Sequence, residues 1–137
     1  MCLRVVYGIY KGLTPEMETR FKVFMQAEGG LYPLFMYNLR KDPLPLGQWL
    51  DEKDYRPGVQ SKIRSDSGIV YPMGWHVYVD ENRARVVASL VNEHTSFLGF
   101  DRAVVLKVYS KTLLADGEDA YGFMNEVYKY IKIEKEV

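Results

Sequence analysis

A single cysteine in 137 residues excludes an internal disulfide, and with only two histidines it leaves too few ligands for a four-ligand zinc site unless carboxylates join. A reducing compartment and no structural metal are expected. Charge of one sign is also missing: 18 Lys and Arg balance 18 Asp and Glu. No overall basic field exists to gather nucleic acid in bulk, although a local patch is compatible with this balance. No apolar run is long enough to span a bilayer, and the opening Met1-Cys2-Leu3-Arg4-Val5-Val6 is broken by charge and shorter than a signal segment. A soluble, cytoplasmic protein is expected. There is no glycine-rich phosphate loop, no dinucleotide fingerprint, no RNA-binding aromatic pair, no internal repeat and no low-complexity tract.

What is present fits one compact domain over residues 1–137, since 47% of the residues are hydrophobic and the length is near the commonest domain size. The compositional oddity is aromatic: 14% of the chain, including 11 tyrosines. Strands favour tyrosine. Its apolar body and polar tip also suit surfaces that are half buried and half wet, such as partner interfaces and stacked ligands.

Leu3 to Tyr10 reads as a strand closed by Lys11-Gly12. Thr14-Pro15 with Glu16 and Glu18 is a helix-start pattern. Met17, Phe21, Phe24 and Met25 recur at helical spacing, which predicts a helix to about Glu28, stopped by Gly29-Gly30. Leu31 to Gly58 carries four prolines and reads as an ordered loop region anchored by Trp49 and Tyr55, with Lys41, Asp51, Glu52, Lys53, Asp54 and Arg56 as a solvated rim. Ile69-Val70-Tyr71 is a short strand, followed by a turn at Pro72 and Gly74. Trp75 to Val79 has strand period, with His76 and Tyr78 on one face. Asp80 caps a helix from Glu81 to about His94 with Ala84, Val87, Ala88 and Val91 buried. Ala103 to Tyr109 is an apolar strand, Asp116 to Asp119 a turn, and Glu126 to Glu134 a strand with Val127, Lys129, Ile131 and Ile133 on one side. The expected fold class is α+β: a mainly antiparallel sheet, open or closed as a split barrel, with two helices.

Three groups of residues carry candidate chemistry. His76, beside Gly74 and on the same strand face as Tyr78, can orient a ligand or exchange a proton. An equally physical role is a strand histidine bonded to its neighbours. Arg56, Lys62 and Arg64, near Ser61, Ser65 and Ser67, have the forks and hydroxyls that suit a phosphate, or else form a solvated loop. Cys2 would become an N-terminal nucleophile if Met1 were removed. His94, near a helix end, is suited to the helix dipole.

Several of these segments resemble known families. Cys2 after Met1, with Arg4 close by, resembles the start of the choloylglycine hydrolases over those first residues alone, which implies a nucleophilic Cys2. The opening Met1-Cys2-Leu3, Tyr32-Pro33-Leu34-Phe35 leading to Pro45-Leu46-Gly47, the Gly74-Trp75-His76 box with Ala84, the strand Val104 to Val108 and the closing Lys132-Ile133 resemble a group of small phage and bacterial proteins that begin Met-Cys-Leu and carry a Gly-aromatic-His box. Relative to that group, Thr14 to Glu28 reads as an insertion. More distantly, Gly74-Trp75-His76-Val77-Tyr78 followed by a helix is similar to the central strand and helix of ADP-ribosyltransferases. That resemblance implies NAD as cofactor, Tyr10-Lys11-Gly12 at the first-strand position, Tyr78 stacking nicotinamide, and Glu126 after Asn125 stabilising positive charge. Lys11 stands where that family has His or Arg, and His76 where an aromatic is usual.

The leading expectation is a phage-type accessory protein in the host cytoplasm that binds a host macromolecule or a small nucleotide-like ligand, without turnover and without a cofactor. Its site would be a cleft lined by Arg64, Trp75, His76 and Tyr78. The alternative is an ADP-ribosyltransferase-like enzyme, degenerate or active, using Tyr78 and Glu126. A virion or assembly component would instead expose aromatic patches and form a homo-oligomer.

Overall fold

In the computed structural model, residues 3–13, 17–27, 30–33, 42–55, 61–94 and 102–134 are described. The strands are β1 (Val5–Leu13), β2 (Glu18–Ala27), β3 (Gly30–Pro33), β4 (Trp49–Asp51), β5 (Lys62–Arg64), β6 (Val70–Pro72), β7 (Trp75–Tyr78), β8 (Arg102–Glu118) and β9 (Met124–Ile133). A 3-10 turn covers Glu52–Asp54, and α1 spans Glu81–His94.

β8 is long enough to bond three partners. One of its edges carries β2, from Glu18↔Ser110 to Gln26↔Arg102, and then β1, from Val5↔Glu118 to Leu13↔Leu113. The other edge carries β9, from Val108↔Ile133 to Glu118↔Met124. The far edge of β9 takes β7 and β4, and β7 reaches back to β2 at Phe21↔Tyr78. Strands β8, β2, β7 and β9 therefore form a ring of antiparallel pairings, extended by β1, β3 and β4, while β5 and β6 form a separate hairpin. The fold is α+β, mostly antiparallel sheet with one helix among the described residues.

The main core lies on the face of this sheet that carries Phe24, Trp75, Val77, Val108, Ile131 and Ile133. On the opposite face α1 covers Val23, Met25, Ala103 and Tyr78 with Ala84, Val87 and Ala88. Its start is the expected one: Asp80 Oδ1 accepts from the Asn82 amide at 2.8 Å, satisfying a first-turn donor. A third cluster, Leu3, Tyr71, Ala115 and Val127, seats the β5–β6 hairpin.

Several expectations need correction. The helix from Thr14 to Glu28 is not formed over its described part, which is β2. Lys22, Val23, Phe24 and Met25 are all buried because β2 is covered on both faces, and a doubly buried strand shows no two-residue period to distinguish it from a helix. The described residues thus hold one helix and a 3-10 turn, not two helices. The turn placed at Asp116 to Asp119 lies further on: β8 continues to Glu118, and Asp119 accepts the Tyr121 and Phe123 amides at 2.9 and 3.1 Å. Gly117 belongs inside the strand because a Cβ there would stand 1.9 Å from the Val5 carbonyl oxygen. Finally, Glu52 is buried rather than part of a solvated rim.

Thr112 sits in β8 at φ 65°, a left-handed conformation costly for a β-branched residue. The face of β9 turned to the core changes at the same level: Tyr128 is buried on one side of Lys129, Ile131 and Ile133 on the other. A strand of strict period two cannot bury both sets on one face. Replacement of Gly117 by Ala should destabilise the fold by about 1–3 kcal/mol through overpacking. Thr112→Gly should instead be neutral or stabilising by about 1 kcal/mol, because strain is relieved. Urea unfolding of both variants checks the pair of opposite signs.

Candidate functional site

His76 lies half-buried on β7 and is held at both ring nitrogens. Tyr71 Oη is 2.9 Å from Nε2 and also accepts the Leu3 amide at 2.8 Å. The imidazole bonds the Gly74 carbonyl through its other nitrogen. That carbonyl can only accept, so Nδ1 carries the proton and Tyr71 donates to Nε2. Gly74 is required beside it, because a Cβ would come within 2.7 Å of the Tyr128 carbonyl oxygen. Enclosure above all, with the Lys22 charge among the lesser causes, holds the imidazole well below its ordinary value of 6.5.

Lys22, which the sequence reading did not single out, is the most unusual group nearby. It is buried in the middle of β2, with Nζ donating to the His76 carbonyl at 2.8 Å and lying 5.8 Å from the ring centroids of Phe24 and Trp75. Desolvation lowers its ammonium to about 8, against the opposing pull of Glu52. A lysine inside an apolar run is visible in Phe21-Lys22-Val23-Phe24-Met25, but only a strand reading turns it inward.

The four residues assigned to one cleft are not brought together. Trp75 is in the main core with Nε1 donating to the Leu50 carbonyl at 3.0 Å, and His76 points to the opposite face of the strand. Arg64 is exposed on β5. Tyr78 is buried under α1 with its hydroxyl on Asp119 Oδ2 at 2.5 Å, so its ring has no open face. The phosphate-suited serines serve their own turn: Ser65 Oγ lies 2.9 Å from Ser67 Oγ and accepts the Ile69 amide. Arg56, Cys2 and the His94 side chain lie outside the described residues.

Glu126 is next to β7, paired with Val77, while Tyr78 pairs with Asn125. Adjacent register places Glu126 and Tyr78 on opposite faces. Glu126 receives Arg20 Nε and, at 2.9 Å, the Tyr128 hydroxyl. Its strand partner Asp116 accepts from Tyr10 at 3.1 Å. This arrangement is internal, and no nicotinamide-stacking pair results.

The surface offers a different constellation. On the face of β4, β9 and β8 turned away from the core, Trp49 pairs with Lys132 and Lys132 with Tyr109; two residues along, Asp51 pairs with Tyr130 and Tyr130 with Lys111. Rings and ammonium groups alternate like a chequerboard. Lys111 Nζ stands 4.2 Å from the Trp49 ring centroid and 5.2 Å from that of Tyr130. Lys132 lies 5.1 Å from Trp49 and 5.5 Å from Tyr109. Lys107 and Lys129 add contacts to Tyr109 and Tyr130. All five chequerboard residues are half-buried. The rows continuing towards the start of β8, through Ala103 and Val105, are the ones α1 covers. A separate open groove of about 790 Å³ runs between α1 and the start of β8, lined by Arg85, Ala88, Asn92 and Arg102 among others, and contains none of the residues expected to form the site.

No protein-family model, no curated protein and no solved structure matches this chain. Among the described residues, no three His, Cys, Asp or Glu side chains are grouped to hold a metal, and no helix is long and apolar enough to cross a membrane.

These two enclosed bases dictate a pH response. A base whose folded-state pKa lies below its unfolded value stabilises the fold in full above the unfolded value, and that stabilisation is lost as pH falls through the folded one. For Lys22 the window runs from 10.5 down to about 8, and for His76 it runs downward from 6.5. The free energy of unfolding should therefore rise from pH 8 to 9.5, with the rise flattened in Lys22→Met. It should fall below pH 6.5, with the fall reduced in His76→Gln. Denaturant titrations across pH measure both slopes. A long-range nitrogen–proton NMR spectrum should show His76 protonated at Nδ1; protonation at Nε2 would refute the tautomer.

Proposed function

We propose that this chain is an accessory binding domain, of the phage type suggested by its Met-Cys-Leu opening, that takes a nucleotide-like ligand on the outer face of β4, β9 and β8. The observation carrying this reading is the chequerboard of Trp49, Tyr109 and Tyr130 with Lys111 and Lys132. An aromatic base stacks on a ring through its π face, and a phosphate is attracted to a neighbouring ammonium, so one ligand class satisfies both components. Binding rather than turnover is supported by the state of the candidate acid–base groups. His76, Tyr78 and Glu126 are each engaged in internal hydrogen bonds.

The arrangement is pre-formed in a useful way. Each lysine held over a ring contributes about 0.5–1 kcal/mol at an exposed site, enough to orient the rings and little enough for a base to displace. Trp49 supplies the readout, since Trp75 is buried. Adenosine monophosphate should quench the fluorescence of Trp49 saturably, and added salt should weaken it. Trp49→Phe should abolish the signal. The double variant Lys111→Ala/Lys132→Ala should weaken binding by about tenfold, corresponding to about 1.4 kcal/mol. An unaltered titration in the double variant would overturn the placement.

A further inference from the structure

We infer that the occupant of this sheet face is single-stranded nucleic acid, its bases stacking on Trp49, Tyr109 and Tyr130 and its phosphates meeting Lys107, Lys111, Lys129 and Lys132. The inference rests on the nucleotide reading above and extends it from one nucleotide to a strand. Three rings and four ammonium groups exceed what a mononucleotide can engage at once. The face is also an open sheet surface, whereas small-molecule sites are concave and bury most of their ligand. On an open face, affinity must come from repeated contacts along a polymer.

The geometry suits such a repeat. Trp49, Lys132 and Tyr109 lie on three neighbouring strands, about 4.8 Å apart from one to the next, and the Tyr130–Lys111 row lies about 7 Å along. Each ring therefore has a lysine beside it and another ring diagonally across. A duplex hides its base faces in the stack, and an acidic peptide would use the lysines while leaving the rings without complement. Four lysines stand against two carboxylates, Asp51 and Glu134, although the whole chain is neutral. Asp51 is occupied by the Lys53 amide and ammonium at the 3-10 turn. Glu134 bounds the patch, 3.4 Å from Lys107 Nζ and accepting the Tyr109 hydroxyl at 3.3 Å. Its carboxylate competes with a phosphate for the same lysine.

The test is fluorescence anisotropy of a labelled ten-residue oligothymidylate, with adenosine monophosphate, a duplex of equal length and polyglutamate as competitors. The oligonucleotide should bind at least tenfold more tightly than the mononucleotide, and neither duplex nor polyglutamate should displace it at equal charge. With three or four phosphates contacted, the slope of log affinity against log salt should be about −2 to −3. Lys111→Ala/Lys132→Ala should reduce that slope by about 1.4, and Trp49→Ala should weaken binding about tenfold. Glu134→Gln should tighten it, an outcome that loss of folding cannot imitate. Mononucleotide binding without any gain for the oligonucleotide would overturn the strand and leave the nucleotide reading standing. Equal competition by duplex or polyglutamate would also overturn it, and failure of both ligands would remove the two together.

Discussion

The main sheet of the described fold is organised around β8. The first half of this strand holds β2, its second half β1, and its other edge holds β9 from Val108 to Glu118. One strand can serve three partners only if it bends, because β2 and β1 follow one another along the same edge while the ring closes through β7. Thr112, in a left-handed conformation, lies where the edge passes from β2 to β1. Gly117 then lets the Val5 carbonyl approach more closely than any side chain would permit. The strained threonine and the required glycine are two parts of one constraint: a continuous strand must change direction without losing its hydrogen bonds.

That constraint also decides what faces solvent. Before the bend, the residues of β8 on one face are either covered by α1, as Ala103 and Val105 are, or carry Lys107, Tyr109 and Lys111 outward. On the opposite face Val108 and Ser110 are fully buried against Ile133 and Ile131. The surface chequerboard is thus the reverse side of the core: its spacing is set by the same pairings that align the buried side chains. A ring on this face cannot drift in register unless Leu50, Ile131 and Val108 drift with it.

Parts of this were legible in the sequence, and the reasons are physical. The helix α1 was readable because only one of its faces is buried and Asp80 supplies the cap, so its period and its start agree. β7 was readable from its alternation. β2 was not, since burial on both faces erased the period that distinguishes strand from helix, and a helix-start pattern at Thr14-Pro15 pointed the wrong way. Nor could the sequence show which alternate of β9 faces out. Grouping Val127, Lys129, Ile131 and Ile133 assumed an unbroken period, whereas Tyr128 is buried and the buried face changes at Lys129. The aromatic excess was visible as composition; its meaning depends on register, which pairs Trp49 with Lys132 across 83 positions of chain.

The zero net charge, which argued against bulk association with nucleic acid, bears differently on a local face. At physiological ionic strength a charge is felt over about 8 Å, roughly two strands' width. Within that distance of Lys132 the register places Lys111 and Asp51 diagonally across, Glu134 two residues along and the rings of Trp49 and Tyr109 on either side; Asp51 is engaged by Lys53 and Glu134 by Lys107. Balance over the whole chain therefore limits long-range steering and leaves contact energy at the face intact. Under the proposed reading, selection at this face would come from contact, favouring a ligand that offers base faces and phosphates together over one that offers charge alone.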